Sequence, residues 1–99
     1  MISWLFYFGI KFVLRIYMHI VYLIYSQAYD LYYVGQTQDI TNRLLEHNKN
    51  RCRFTKGKGP WIIIGTKSYT TRSEAMRAEK RMKKMKNRNY ILQYFKNEA

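Results

Sequence analysis

Residues 20 to 35 read IVYLIYSQAYDLYYVG, two short runs of aromatic and β-branched residues separated by the polar break SQAYD. Runs of this length and composition favour strands, and the break supplies turn formers, so the stretch is expected to fold as an antiparallel hairpin. The first run, IVYLIY, is apolar at consecutive positions. Both of its faces therefore need cover, which places it at the centre of a sheet. With the loop at residues 26 to 29, Tyr25 would oppose Asp30 and Tyr22 would oppose Tyr33. Directly opposed residues share a sheet face, so this register sets the two hydroxyls side by side, and a slip of one residue would separate them.

After Gly35 the pattern changes to TQDITNRLLEHN, in which Thr37 or Asp39 can cap a helix that turns Ile40, Leu44 and Leu45 inward. Arg43 and His47 are four apart and share one edge of that helix beside Ile40, near the end of the second strand. KNRCRFTKGKGP then reads as a loop of cations and glycines, and WIIIGTKSY as a third strand. Thr71 and Glu74 form a capping box for a helix with Ala75, Ala78, Met82 and Met85 along one stripe. A last helix is expected to pack through Ile91, Leu92 and Phe95. At 99 residues the chain is one small domain, of α/β class in its α+β form: a three-stranded antiparallel sheet flanked by helices, with the active site on one sheet face.

Charge narrows the partner. Residues 43 to 88 hold fifteen of the eighteen Lys and Arg against three acids, which equals the net +12 of the whole chain. Such a field attracts a polyanion, and a nucleic-acid backbone is the commonest one. Cys52 is the only cysteine, which excludes an internal disulfide and a multi-cysteine zinc site; it reads as a plain thiol in a basic loop. Residues 1 to 17 are apolar but are interrupted by Lys11 and Arg15, which argues against a spanning helix. Three readings of that segment stand: a spanning helix, an amphipathic membrane contact, or an extension upstream of a start at Met18.

Glu79 lies beside the apolar stripe of a cation-rich helix. A carboxylate there calls for a positive partner. Two partners are open: Lys83 one turn on, in a weak exposed pair, or a divalent ion held by one carboxylate plus waters and phosphate oxygens.

Tyr22, the Tyr33-Val34-Gly35 run, Thr37, Arg43, His47, Asn48 and Glu79 within SEAMRAEKRMKK follow one another in an order and spacing that resembles the GIY-YIG nuclease domain, particularly its compact single-domain members and the structure-specific junction endonuclease branch. The resemblance covers residues 18 to about 86, and the domain division is 1–17 extension, 18–99 nuclease-like domain. The KGKGPW segment resembles the basic loop before the third strand of those proteins. IVY stands where the family name has GIY, so the tyrosine is kept and the glycine lost. The late asparagine of many members has three candidates here, Asn87, Asn89 and Asn97.

The resemblance implies hydrolysis of DNA phosphodiesters with one Mg2+ or Mn2+ per site, in DNA repair or recombination, inside the cell. Glu79 would hold the metal, which acts as a Lewis acid on the phosphate. Tyr22 would position or deprotonate the attacking water, with nearby positive charge favouring its phenolate. Arg43 would stabilise transition-state charge, His47 would bond the phosphate or relay a proton, and Tyr33 would orient the site. Arg51, Arg53, Lys56 and Lys58, with Arg77 and Lys80 on the later helix, would contact the backbone of duplex or branched DNA without reading bases. A separate protein would supply specificity. The competing expectation is a non-catalytic basic DNA-binding module on the same fold.

Overall fold

The computed structural model describes residues 18–96. Readings that concern residues 1–17, membrane contact included, and Asn97 fall outside that range. Within it no helix is long and apolar enough to cross a membrane. The elements run β1 (His19–Ser26), β2 (Leu31–Thr37), α1 (Ile40–Asn48), β3 (Ile62–Tyr69), α2 (Arg72–Met85) and α3 (Arg88–Lys96). The three strands form one antiparallel sheet in the order β2-β1-β3, an α+β arrangement.

The continuous apolar run is the central strand, as its composition requires. Its side chains alternate between two cores. Val21 and Leu23 pack with Val34 against Ala75, Ala78 and Met82 of α2 and Phe95 of α3. Tyr22 and Ile24 turn to the other face, where Trp61, Tyr33, Ile40 and Leu44 cover them. The helix α2 therefore covers one face, and α1 with the loop leading to Trp61 covers the other.

The hairpin register departs from the sequence expectation by two residues. Ser26 opposes Leu31, Tyr25 opposes Tyr32, Ile24 opposes Tyr33, and Tyr22 opposes Gly35. Two features shift it. Ser26 is fully buried and donates its hydroxyl to the Lys58 carbonyl, so a residue that resembles a turn former completes the strand. The turn instead closes through Asp30, at φ 51°, whose carboxylate accepts from the Tyr25 hydroxyl at 2.9 Å and from Arg88 at 3.2 Å. Because the shift is two residues and not one, Tyr22 and Tyr33 still share a face, as diagonal instead of direct neighbours.

Asp39, not Thr37, caps α1, its side chain accepting from the Asn42 amide at 3.1 Å. Leu45 is exposed, not inward, since Ile40, Leu44 and His47 already define the buried face one turn apart. In α2, Thr71 caps through the Glu74 amide at 3.2 Å, while the Glu74 carboxylate accepts from the Thr71 hydroxyl at 2.9 Å. Met85 is half exposed, so the buried stripe of α2 ends at Met82. In α3, Phe95 is buried and Ile91 and Leu92 pack beside it, as their spacing anticipates.

Candidate active site

Tyr22 occupies the middle of the central strand, with its ring laid across Gly35 of the neighbouring strand. A Cβ at residue 35 would fall 2.3 Å from the Tyr22 hydroxyl and 2.4 Å from Cζ. Glycine there is a steric requirement of the phenol, and that is the physical content of the Tyr-Val-Gly run.

The phenol ends on His47. Tyr22 Oη and His47 Nε2 are 2.8 Å apart, and His47 Nδ1 lies 2.7 Å from Thr55 Oγ1. His47 is 1% exposed and Thr55 equally buried, so this chain of three groups is sealed from water at its His47 end. Burial, and then the Arg43 charge, hold the His47 pKa below its ordinary value of 6.5, so the imidazole is neutral at neutral pH. One tautomer satisfies both bonds with Tyr22 donating to Nε2 and Nδ1–H donating to Thr55; the other reverses both. A histidine near a helix end in water would have neither bond.

Burial pushes the Tyr22 phenol up, Tyr33 adds to this, and Arg43 opposes it without cancelling it. The Arg43 charge alone does not offset burial, so the resting group is the neutral phenol. Tyr33 stands edge-on to His47, with ring centroids 5.3 Å apart, and completes the aromatic wall. Arg43 reaches Glu46 at 3.8 Å and the Cys52 thiol, and its buried Nε has no hydrogen-bond partner.

Glu79 arrives from the other side. It belongs to α2, on the opposite face of the sheet, and approaches over the β2 edge, where Gln36 Nε2 donates to one carboxylate oxygen at 3.2 Å. Lys83 Nζ bonds the other oxygen at 2.9 Å and also lies 5.2 Å from the Tyr33 ring centroid. The Glu79 charge is felt at Tyr22, more weakly than those of Tyr33 and Arg43. The site thus spans one face and one edge, and is not confined to a single face. The Lys83 partner anticipated from helix spacing is present. The Glu79 side chain remains partly exposed, at 21%, so an ion could reach it from solvent. One partly exposed carboxylate fits the donor set of Mg2+, which takes one or two carboxylates and keeps its other positions for water and phosphate oxygens.

Four of the six backbone-contact candidates cluster here. Arg51, Arg53, Lys56 and Lys58 are exposed on the loop whose Thr55 holds His47. Arg77 and Lys80 are exposed on the outward side of α2, opposite the stripe of Ala75, Ala78 and Met82, and do not join them. Among the asparagines, Asn87 caps α3 through the Tyr90 amide at 3.0 Å, and Asn89 is exposed. Asn48 clamps the basic loop, donating to the Trp61 carbonyl at 3.1 Å and accepting from its amide at 2.7 Å. Sequence reasoning missed Thr55, Trp61 and Gln36. Only Trp61 carried a signal, as a large aromatic beside a strand start.

Three comparisons place the chain among known proteins. A family model for the GIY-YIG catalytic domain matches residues 18–91. A UPF0213 protein of Listeria welshimeri is 44% identical over 59 residues, covering 59% of this chain and 66%, just under two thirds, of that relative. A UPF0213 protein of Halobacterium salinarum is 39% identical over 69 residues, covering 69% of this chain and 88% of the relative. The solution NMR structure of a UPF0213 protein from Bacillus halodurans is 28% identical, covers 78% of this chain and 81% of its own, and has a TM-score of 0.48. Since that family model spans residues 18–91, well over half of the sequence, this chain belongs to the family of GIY-YIG catalytic domains.

Proposed function

We propose that the chain is a divalent-metal-dependent DNA endonuclease that hydrolyses phosphodiester bonds, acting in DNA repair or recombination. The observation that carries this reading is the buried Tyr22–His47–Thr55 chain beside Arg43. A core tyrosine needs only one hydrogen-bond partner, and a backbone carbonyl would serve. Here the partner is a neutral imidazole, a base able to take a proton near neutral pH.

In this reading Tyr22 Oη accepts a proton from the attacking water while passing its own to His47 Nε2. The phenol need not rest as phenolate, a form that burial disfavours. The imidazolium that forms keeps its Nδ1–H bonded to Thr55 Oγ1. Water oxygen bonds to phosphorus, the bond to the leaving oxygen breaks, and that oxygen takes a proton from solvent. Arg43 aims its guanidinium at the phosphoryl oxygens, where charge accumulates; loss of such a donor typically costs about 3 to 4 kcal/mol of barrier. Tyr33 orients His47 through its edge contact. Glu79 would hold one Mg2+ or Mn2+, with waters and phosphate oxygens as the other ligands. That ion, when bound, supplies Lewis-acid neutralisation of the scissile phosphate and its leaving oxygen.

The second reading, a DNA-binding module without cleavage, is favoured by one observation: both Glu79 oxygens already have protein partners, Gln36 and Lys83. Incubating supercoiled plasmid and branched oligonucleotides with the protein in Mg2+ or Mn2+ separates the two. Cleavage that Glu79→Ala and Tyr22→Phe each abolish supports the nuclease. Robust cutting by either variant removes the roles assigned here, and binding without cutting under either metal leaves the second reading. A specificity partner would appear as a change of preferred substrate when it is added.

A further inference from the structure

The loop between α1 and β3 carries one side chain that the proposed chemistry does not use. Phe54 is 71% exposed, the highest value of any large apolar side chain among the described residues, while Thr55, the next residue, is 1% exposed and bonded to His47 at 2.7 Å. A single exposed apolar side chain is ordinary on a protein surface; what marks this one is its setting, an aromatic ring in a run of exposed cations next to the residue that bonds His47.

Hydrogen bonds tie down the loop backbone on both sides of Phe54. The Thr55 amide donates to the Cys52 carbonyl at 3.3 Å, and the Lys58 amide to the Thr55 carbonyl at 3.2 Å. The Gly57 amide bonds Asn50 Oδ1 at 2.9 Å, and the Trp61 indole bonds the Thr55 carbonyl at 3.3 Å. Cations surround the ring in sequence: Arg51, Arg53, Lys56 and Lys58 are all exposed, and the Arg53 guanidinium carbon is 5.9 Å from the Phe54 centroid. A solvent-facing aromatic ring on a tied-down loop of cations is the arrangement by which proteins stack unpaired bases, because every base has a face to offer. A base inside an intact duplex already stacks on its neighbours and has no free face.

We propose that Phe54 is a stacking platform for an unpaired base, so that the preferred substrate is DNA with a junction between duplex and single strand, and not uninterrupted duplex. This rests on the nuclease reading, in that it takes the loop beside His47 to face the DNA. The base would lie one residue from Thr55, at the same end of the site as the Tyr22–His47 pair.

The test is a binding measurement without divalent ions, so that it does not depend on cleavage. A forked duplex carries 2-aminopurine at its first unpaired position, and a blunt duplex of equal length serves as comparison. Wild-type protein is expected to bind the fork more tightly and to quench the probe. Phe54→Ala should reduce fork affinity about tenfold, collapse the fork-to-duplex ratio and abolish the quench, while Phe54→Trp retains both. An unchanged melting temperature shows that the variants fold. A wild-type ratio near one, an equal loss on fork and duplex, or a quench that survives Phe54→Ala overturns the proposal. Wild-type protein that quenches the probe yet cuts nothing in Mg2+ or Mn2+ leaves the platform standing and removes the nuclease reading alone.

Discussion

His47 is the residue on which the site turns, because one side chain seals the core, partners Tyr22 and fixes the basic loop through Thr55. Its burial has a pH signature. The folded pKa lies below the ordinary 6.5, so as pH falls past about 6.5 the unfolded chain takes up a proton that the folded chain refuses, and stability drops. Tyr22 acts at the other end: its folded pKa is raised above 10.0, so as pH climbs past about 10 the unfolded chain loses a proton that the folded chain keeps, and stability drops again. Denaturant melts across pH 5 to 11 should show a plateau between these limits. The acid limb should shrink in His47→Gln and the alkaline limb in Tyr22→Phe, and limbs unchanged in both variants would contradict the burial argument. Lys83 gives a second prediction. It bonds the Glu79 oxygen that a metal would need, and its charge repels a divalent ion, so Lys83→Met should tighten Mn2+ binding by about tenfold, read by calorimetric titration. Equal affinity in the two proteins would place the ion elsewhere. The pair at Arg43 and His47 was legible because helix spacing alone puts residues four apart on one edge. Thr55 was not, since its value arises from a contact between a loop and a helix that no periodicity encodes.

At the scale of elements, the hairpin joins the two cores, and β2 contributes to the site by what it lacks. Gly35 leaves the space that the Tyr22 ring fills, with the phenol carbons well inside the distance any Cβ tolerates. Gly35→Ala should force the ring off His47. Overpacking a buried position typically costs about 1 to 3 kcal/mol, and each kcal/mol lowers the melting temperature of a domain this size by about 4 to 8 °C. Circular-dichroism melts are expected to show that loss, together with a collapse of any metal-dependent cleavage out of proportion to it. A variant that melts lower but cuts at the wild-type rate would show that the Tyr22–His47 bond is structural only. The strands, their order and the helices were readable, because burial on both faces of Ile20–Ile24 dictates a central strand whatever the loop does. Register was not. It depended on Ser26 finding the Lys58 carbonyl, 32 residues away, and on Asp30 accepting a left-handed turn tied to Arg88 of α3. The same limit hid the edge-on approach of Glu79: the sequence shows which side of α2 is apolar but not over which edge of a sheet that side looks.

For the whole molecule the governing quantity is a net +12 gathered almost entirely between residues 43 and 88. Composition alone shows that charge, but the fold divides it between two surfaces. Arg51, Arg53, Lys56 and Lys58 are exposed on the loop whose Thr55 bonds His47, whereas Arg77 and Lys80 face outward from the helix that covers the opposite side of the sheet. A duplex seated with its phosphate at Arg43 would press against the first group and meet the second only by bending around the β2 edge. Counterion release makes the difference measurable, since each phosphate contact adds about 0.9 to the slope of log affinity against log salt for duplex DNA. Replacing Lys56 and Lys58 together by Gln should lower that slope by about 1.8, and the Arg77→Gln, Lys80→Gln pair should leave it within about 0.5 of wild type. The comparison is best made by fluorescence anisotropy from 50 to 300 mM salt without divalent ions, which would themselves compete for phosphate. If the helix pair flattens the slope as much as the loop pair, the footprint wraps both faces, and the chain grips a bent or branched duplex instead of docking one face onto a straight one.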